Sequence, residues 1–143
     1  MKIKVVFMLL LLSLAAAAVR AKEMRPAGVT AYGETLLTEI NLYRRENGLN
    51  SLRFDPLLIQ LAQKHSFEMF QGKMLSHSNF KSRFERSGSR SCVENVGWNY
   101  PNPLKMFESW RGSRGHDENM LKEGVRKVGI AEVGKYVTYF ACQ

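Results

Sequence analysis

The sequence predicts an α+β fold, in which helices cover a mostly antiparallel sheet. Apolar residues recur at helical spacing through the first half of the chain. One extended segment and a further helix follow, and the chain closes with two apolar runs, 125–133 and 136–142, hinged at Gly134-Lys135. A closing hairpin after a series of helices is typical of an antiparallel sheet with helices packed against it.

The first 21 residues have the three parts of a secretory signal peptide. Two lysines precede an apolar run at 5–18, and Val19-Arg20-Ala21 offers the small residues that signal peptidase reads, so cleavage is predicted before Lys22. The run of 14 residues is shorter than the ~20 that a membrane-spanning helix needs, which favours cleavage over an uncleaved anchor. We therefore expect an exported protein, periplasmic or extracellular, with no transmembrane segment after cleavage and one domain over residues 22–143.

The first helix is predicted over residues 30–46. Its apolar side chains fall on one face at 3.6-residue spacing, and they are Leu36, Leu37, Ile40 and Tyr43. Asn47-Gly48 is a helix stop, and residues 49–54 form a short extended link.

The second helix begins at Asp55-Pro56, which has the pattern of an N-cap followed by proline at the first helical position. It runs to about Gln71, with an apolar stripe formed by Leu58, Leu61, Ala62 and Met69. His65 lies near that stripe, and we interpret it as a packed or half-exposed helix histidine.

Shorter elements follow. A loop at residues 73–79 leads into a short helix at 80–86 and a turn at 87–89. Residues 93–100 look extended, and the candidate packing residues there are Val93, Val96, Trp98 and Tyr100.

The next helix opens at Pro101-Asn102-Pro103. It carries three large apolar side chains, Met106, Phe107 and Trp110. Residues 112–115 contain two glycines, which predict a break in the helix, and Met120-Leu121 lies in a short helical turn after it. The hairpin at 125–142 completes the chain.

The charge of the chain is moderately basic. Without the predicted signal peptide, the 21 basic residues fall to 18 against 13 acidic ones, and the net charge falls from +8 to +5. Lys81, Arg83, Arg86 and Arg90 form one basic cluster, which we interpret as a solvated surface attracted to anionic envelope polymers. Because there is no known nucleic-acid-binding module, we expect no nucleic-acid partner.

Cys92 and Cys142 are the only cysteines. An even pair in an oxidising compartment favours one disulfide, which would close a loop of about 50 residues and contribute roughly 4 kcal/mol. Two free thiols or a cysteine-based catalyst are disfavoured, since the penultimate residue is a poor place to position a nucleophile.

Three segments have the composition of a functional site, because each puts a histidine or a carboxylate beside small residues at a loop or strand edge. They are Leu75-Ser76-His77-Ser78-Asn79, Val93-Glu94-Asn95-Val96-Gly97-Trp98 and Trp110-Arg111-Gly112-Ser113-Arg114-Gly115-His116. The chain has no His-Glu-x-x-His or Cys-x-x-Cys metal motif and no Gly-x-Ser-x-Gly nucleophile turn. Composition and spacing alone therefore leave the function open.

Taken in order, these segments resemble the CAP superfamily of cysteine-rich secretory, antigen 5 and pathogenesis-related 1 proteins, and its short bacterial branch in particular. The resemblance runs from about Glu34 to Phe140. It is carried by Asn41-Leu42-Tyr43-Arg44-Arg45, Gly48-Leu49, Leu52-Arg53-Phe54-Asp55, Leu58 with Leu61-Ala62 and Met69, His77-Ser78, Glu94-Asn95, Trp110 with Ser113-Arg114-Gly115-His116, Val128-Gly129-Ile130 and Tyr139-Phe140. It implies a three-layer α-β-α sandwich around the predicted sheet.

The chain departs from the family pattern at two positions of the site. The family's usual cavity holds two histidines and two acids, but the second acid is replaced here by Ser113, and the glycine before the first acid is Val93. The resemblance therefore carries over at most His77, Glu94 and His116, with Ser113 in the fourth place.

A cavity of this composition suggests a divalent metal such as zinc, held by His77 and His116, with Glu94 as a ligand or an orienting group. The alternative, a buried hydrogen-bonded network that holds helices to the sheet, stays open. The resemblance implies a non-enzymatic binding module with an extracellular or envelope ligand, a lipid or a cell-wall polymer. A metal-assisted hydrolase (a peptidase or an esterase) with Glu94 as general base, and a module that binds envelope polymers through its basic surface, are the alternatives.

Overall fold

The computed structural model describes residues 25–143, and the predicted signal peptide at 1–21 lies outside them. The described part contains five helices and four strands. In chain order they are α1 (Ala31–Glu46), β1 (Arg53–Phe54), α2 (Pro56–Gly72), α3 (Phe80–Ser87), β2 (Cys92–Trp98), α4 (Pro103–Arg111), α5 (Arg114–Met120), β3 (Lys127–Val133) and β4 (Tyr136–Cys142).

Side-chain caps begin the three longest helices where the sequence places them. The Thr30 side chain accepts a hydrogen bond from the backbone of α1, and Asp55 does the same for α2. Asn102 caps α4 from the residue before its first proline. Each cap satisfies a backbone N–H that has no partner inside its helix, so local sequence alone fixes these starting points.

The four strands form one sheet in the order β1-β3-β4-β2. The short strand β1 pairs with β3 in parallel, whereas β3–β4 and β4–β2 are antiparallel. The predicted hairpin at Gly134-Lys135 and the mostly antiparallel sheet are therefore confirmed. Strand β2 lies at one edge of the sheet.

Helices cover the sheet on both faces. The helices α1, α4 and α5 pack on one face around Leu36, Ile40, Trp110 and Tyr139, all of them buried. On the other face, α2 and α3 pack around Leu58, Leu61, Ala62 and Phe140, with Phe80 at the margin. The predicted three-layer α-β-α arrangement is confirmed.

The structure differs from the sequence prediction between residues 112 and 115. No long break follows α4: the chain turns at Gly112-Ser113, and Gly115 lies inside the short helix α5. A glycine disfavours a helix by only about 1 kcal/mol, and contacts between α5 and β2 outweigh that preference. The helical part of the chain therefore continues as far as Met120.

The prediction that Trp98 and Tyr100 pack in the core is wrong. Val96 is buried, but the Trp98 and Tyr100 side chains are exposed at the end of the sheet.

Within residues 25–143, no helix combines the length and apolar character needed to cross a bilayer.

The Cys92–Cys142 disulfide is present in the structure. The two cysteines are directly opposite each other in the β2–β4 register. The bond therefore fastens the edge strand to the last residues of the sheet.

Helix α2 lies so close to β3 that a glycine is required between them. A Cβ atom on Gly129 would collide with the backbone of Leu58 and Ile59. We expect Gly129→Ala to lower the free energy of unfolding by about 3 kcal/mol or more, since neither backbone can yield cheaply. Urea denaturation measures this, with Gly72→Ala as the control, because nothing lies within 4 Å of a Cβ at that position. Equal effects of the two substitutions would contradict this packing.

Replacement of both cysteines by serine should also lower the free energy of unfolding. The disulfide spans 50 residues, and closure of a loop of that length contributes about 4 kcal/mol in the chain-entropy model. Urea denaturation of the double variant and of the reduced parent protein should give the same loss. A loss below about 1 kcal/mol would mean that the link does not constrain the unfolded chain.

Candidate functional site

The site is built around the Glu94 carboxylate, which lies in the middle of edge strand β2 with 1% of its side chain exposed. Because side chains alternate along a strand, Glu94 faces the α2–α3 layer and its neighbour Asn95 faces the opposite layer. Arg83 on α3 holds Glu94 through two parallel bonds, Nε to Oε2 and Nη2 to Oε1, both of 2.8 Å. A planar, charge-assisted pair of this kind fixes both the position and the orientation of the carboxylate.

His77 binds the same carboxylate from the loop between α2 and α3. Its Nδ1 lies 2.9 Å from Oε1 of Glu94, and 53% of the side chain is exposed. An ionised carboxylate only accepts hydrogen bonds, so Nδ1 carries the proton and Nε2 keeps its lone pair. Glu94 therefore holds His77 in the tautomer that can bind a metal or accept a hydrogen bond at Nε2.

Two further bonds hold the loop on either side of His77. The buried His65 side chain donates from Nε2 to the carbonyl of Ser76, at 2.8 Å. Arg83 donates from Nη1 to the carbonyl of Ser78, at 2.7 Å. His65 is thus a packed helix histidine, as predicted, and Arg83 binds both the loop and the carboxylate that orients His77.

His116 comes from the opposite layer, in the first turn of α5. Its Nδ1 lies 3.0 Å from the hydroxyl oxygen of Ser113, which leaves Nε2 without a bond to that residue. Asn95 donates to the His116 carbonyl at 2.9 Å and accepts from Asn119 at 2.9 Å. These bonds fix α5 against β2.

Side chains from α4 and α5 also cap the outer edge of β2. Asn119 donates to the Glu94 carbonyl at 3.0 Å, and the Trp110 indole donates to the Val96 carbonyl at 3.1 Å. Carbonyls at a sheet edge would otherwise be open to pairing with another strand. The two helical layers meet at this edge, where the two imidazoles lie.

The pKa of His116 is lowered from its ordinary value. Burial is the larger cause, because it disfavours the charged imidazolium, and the charge on His77 adds to the effect. His116 is therefore neutral, and able to bind through Nε2, to a lower pH than an exposed histidine.

The four residues predicted for the cavity form two contacting pairs, His77 with Glu94 and His116 with Ser113. Among residues 25–143, no group of three or more histidine, cysteine, aspartate or glutamate side chains is arranged to hold a metal ion. The carboxylate of Glu94 is already occupied by Arg83 and His77. Each pair uses Nδ1 of its imidazole, and neither pair uses Nε2.

The sequence interpretation of Arg83 was wrong. It was placed in a solvated basic cluster, but its side chain is 6% exposed and paired with Glu94. The signal was present in the helix pattern: Phe80, Arg83, Phe84 and Ser87 recur at the spacing of one helix face. A charge on an otherwise inward face indicates a buried partner.

Asn95 and Asn119 carried no comparable signal, because amides occur on surfaces and in cores alike.

Comparison with known proteins gives a family and a fold. The sequence profile of the CAP, or cysteine-rich secretory protein, family matches residues 37–143. An uncharacterized membrane protein of Bacillus subtilis (strain 168), YlbC, is 27% identical over 116 residues, which are 76% of this chain and 34% of that protein. The chain thus spans about a third of the length of this curated relative.

Two solved structures have the same fold. An extracellular protein containing an SCP domain from Bacillus anthracis str. Ames has a TM-score of 0.72 at 21% identity, over 77% of this chain and 39% of that one. An outer surface protein of Borrelia burgdorferi has a TM-score of 0.72 at 16% identity, over 78% of this chain and 92% of that one.

Replacement of Arg83 should be strongly destabilising. In Arg83→Met the Glu94 carboxylate would be left buried without its cation, which costs about 3–5 kcal/mol. Urea denaturation measures the loss, and Arg86→Met, an exposed neighbour on the same helix, is the control. Addition of Glu94→Gln to Arg83→Met should restore part of the stability, since the buried charge is then removed. If the double variant is no more stable than Arg83→Met alone, the ion pair is not what the single variant breaks.

Proposed function

The chain belongs to the cysteine-rich secretory protein (CAP) family, and from that premise we propose that it works outside the cytoplasm as a non-enzymatic binding module. Three observations support export: the signal-peptide pattern of residues 1–21, the disulfide, and the extracellular and outer-surface proteins that share the fold. The compartment is the periplasm or the medium.

The binding element of the proposal is the cleft between His77 and His116, with a divalent metal such as zinc as its ligand. The single observation that supports this is that both imidazoles are bonded through Nδ1. His77 is bonded to Glu94, and His116 is bonded to Ser113. Metal-binding histidines characteristically donate their second ring nitrogen to a carboxylate or another oxygen, which fixes the ring and its tautomer. Both Nε2 atoms are thereby left for a ligand.

The residues present fit a weak metal site. Two imidazoles supply half of the four ligands that zinc takes, and waters or an external ligand would complete the shell. Glu94 orients His77 and does not ligate in this proposal, since Arg83 occupies both of its oxygens. An incomplete shell leaves positions free for an extracellular ligand that itself binds the metal.

The alternative of a metal-assisted hydrolase is less well supported by the geometry. A general base must take up a proton during the reaction, but protonation of Glu94 would weaken its pair with Arg83 in a buried position. The fourth position, an acid in the family pattern, is a serine that binds His116. These contacts favour binding over hydrolysis.

We also propose that the domain as a whole binds an envelope polymer or a lipid. Arg86 and Arg90 lie on the surface, and Lys81 is 89% exposed, so three members of the basic cluster can attract an anionic polymer. Such an attraction weakens with salt.

Zinc titration of the purified protein tests the cleft. We expect His77→Ala and His116→Ala each to abolish measurable zinc uptake in calorimetry, since one imidazole is too few. Ser113→Ala should weaken binding about tenfold or more, because it removes the group that orients His116. Glu85→Gln, an exposed acid on α3, is the control and should leave uptake unchanged. Unchanged uptake in both histidine variants would refute the metal site.

Zinc affinity should fall as the pH falls, because each imidazole must lose its proton to bind. The ordinary histidine pKa is about 6.5, and the pKa of His116 lies below its usual range. Protonation of His116 should therefore weaken binding only at a lower pH than protonation of an exposed histidine would. Calorimetry between pH 5 and 8 measures it, and affinity that is constant over this range would contradict ligation by imidazole.

A further inference from the structure

A cavity of about 330 Å³ lies at the hairpin end of the sheet, and His77, Glu94, Ser113 and His116 are not among the residues that line it. Tyr32 from the start of α1 and Tyr100 from the β2–α4 link form part of its wall. Glu132 and Val137 contribute from the hairpin strands, and Lys135 from the turn between them. Nothing in the family comparison accounts for this combination of two aromatic rings and a carboxylate.

Glu132 brings an uncompensated negative charge to this wall. Its Oε2 atom is buried without a hydrogen-bond partner among residues 25–143, and no cation of that part of the chain lies within the 4.0 Å of an ion pair. Burial raises the pKa of the Glu132 carboxyl, and a hydrogen bond from Thr30 opposes the rise. A half-buried carboxylate that has one unpaired oxygen and no neighbouring cation is costly for a protein to keep unless a cation pairs with it.

The two tyrosines line the cavity, and their hydroxyls are bonded to other groups. The Tyr32 hydroxyl donates to the carbonyl of Tyr100 at 2.8 Å, and the Tyr100 hydroxyl accepts from Ser109 at 3.0 Å. Neither of these bonds uses the Glu132 carboxylate. The charge of Glu132 nevertheless reaches Tyr32, since it is the second cause, after burial, of the raised pKa of that phenol.

The wall is also held in place before any ligand arrives. The Tyr32–Tyr100 bond ties the β2–α4 link to α1, and the Asn99 N–H donates to the Lys135 carbonyl at 2.9 Å, which ties the link to the hairpin turn. A cavity fixed in this way loses little conformational freedom on binding.

From these contacts we infer that the cavity binds a small organic ammonium cation. The Glu132 carboxylate supplies the opposite charge, the rings of Tyr32 and Tyr100 supply faces that attract a cation, and Val137 supplies apolar contact for its alkyl groups. Ammonium ions with alkyl substituents suit such a wall better than a metal ion, which would need several oxygen or nitrogen ligands at short distance.

The positive charge of Lys135, at the rim of the cavity, opposes the binding of a cation. It is exposed, it lines the cavity, and its ammonium group lies beyond ion-pair distance from Glu132. Removal of this like charge should therefore strengthen the binding of a cationic ligand. For an anionic ligand the same substitution would have the opposite effect, so Lys135 distinguishes the two classes.

The probe is choline, compared with its neutral isostere 3,3-dimethylbutan-1-ol, which replaces the ammonium nitrogen by carbon. Both are titrated into the protein in the presence of EDTA, and binding is followed through the backbone amide NMR signals of the cavity residues. We expect choline to shift these signals in a saturable way and the isostere to bind at least about fivefold more weakly. Equal binding of the two, or no saturable shift with choline, would overturn the inference.

Variants test the roles of the wall residues. Glu132→Gln keeps the shape of the side chain and should weaken choline binding about tenfold, whereas Lys135→Ala should strengthen it. Glu108→Gln, an exposed acid outside the cavity, is the control and should leave binding unchanged. Tyr100→Leu is a second variant in case Glu132→Gln does not fold, and it should also weaken binding. Choline affinity that is unchanged in folded Glu132→Gln, or in Tyr100→Leu, would overturn the inference.

Discussion

The buried ion pair between Arg83 and Glu94 is the interaction on which the arrangement of the site depends. It joins α3 to the edge strand, and the same two side chains also hold the loop that carries His77, through the Ser78 carbonyl and the His77 ring. A buried ion pair adds little net stability over apolar residues of the same size, but loss of one partner is severely destabilising. Its contribution here is to determine position, because the α2–α3 loop and helix α3 are both fixed to one carboxylate of β2.

The location of the site follows from the edge of the sheet. An edge strand has backbone groups without a neighbouring strand, and in β2 the Glu94 and Val96 carbonyls are satisfied by Asn119 and Trp110. These bonds bring the α4–α5 layer to the same edge that the α2–α3 layer reaches with His77. The two imidazoles thus come from opposite faces of the sheet, and the contacts that close the edge also position the segments that carry them.

Much of the fold could be predicted from the sequence because its signals are local. Caps at Thr30, Asp55 and Asn102, apolar periodicity and the turn at Gly134-Lys135 depend on neighbours within a few residues. The cysteine pair was identified because only two cysteines exist.

The site was predicted less well. His77, Glu94, His116 and Ser113 were named from the family resemblance. The sequence does not show which of them contact each other, because residues far apart in the chain form these contacts. Arg83 was assigned to the surface from the basic residues around it, although its place on the inward face of α3 indicates burial. Helix α5 forms across a glycine because Asn95 and Asn119 bind it to β2.

The central claim is that Glu94 orients His77 and leaves ligation to the two imidazoles. A crystal structure of the protein soaked in zinc tests it most directly. We expect a zinc ion about 2.0–2.1 Å from Nε2 of both His77 and His116, with Arg83 still bound to both oxygens of Glu94. A zinc ion bound directly by Glu94, with Arg83 displaced, or a cleft that stays empty while zinc binds elsewhere, would contradict the account.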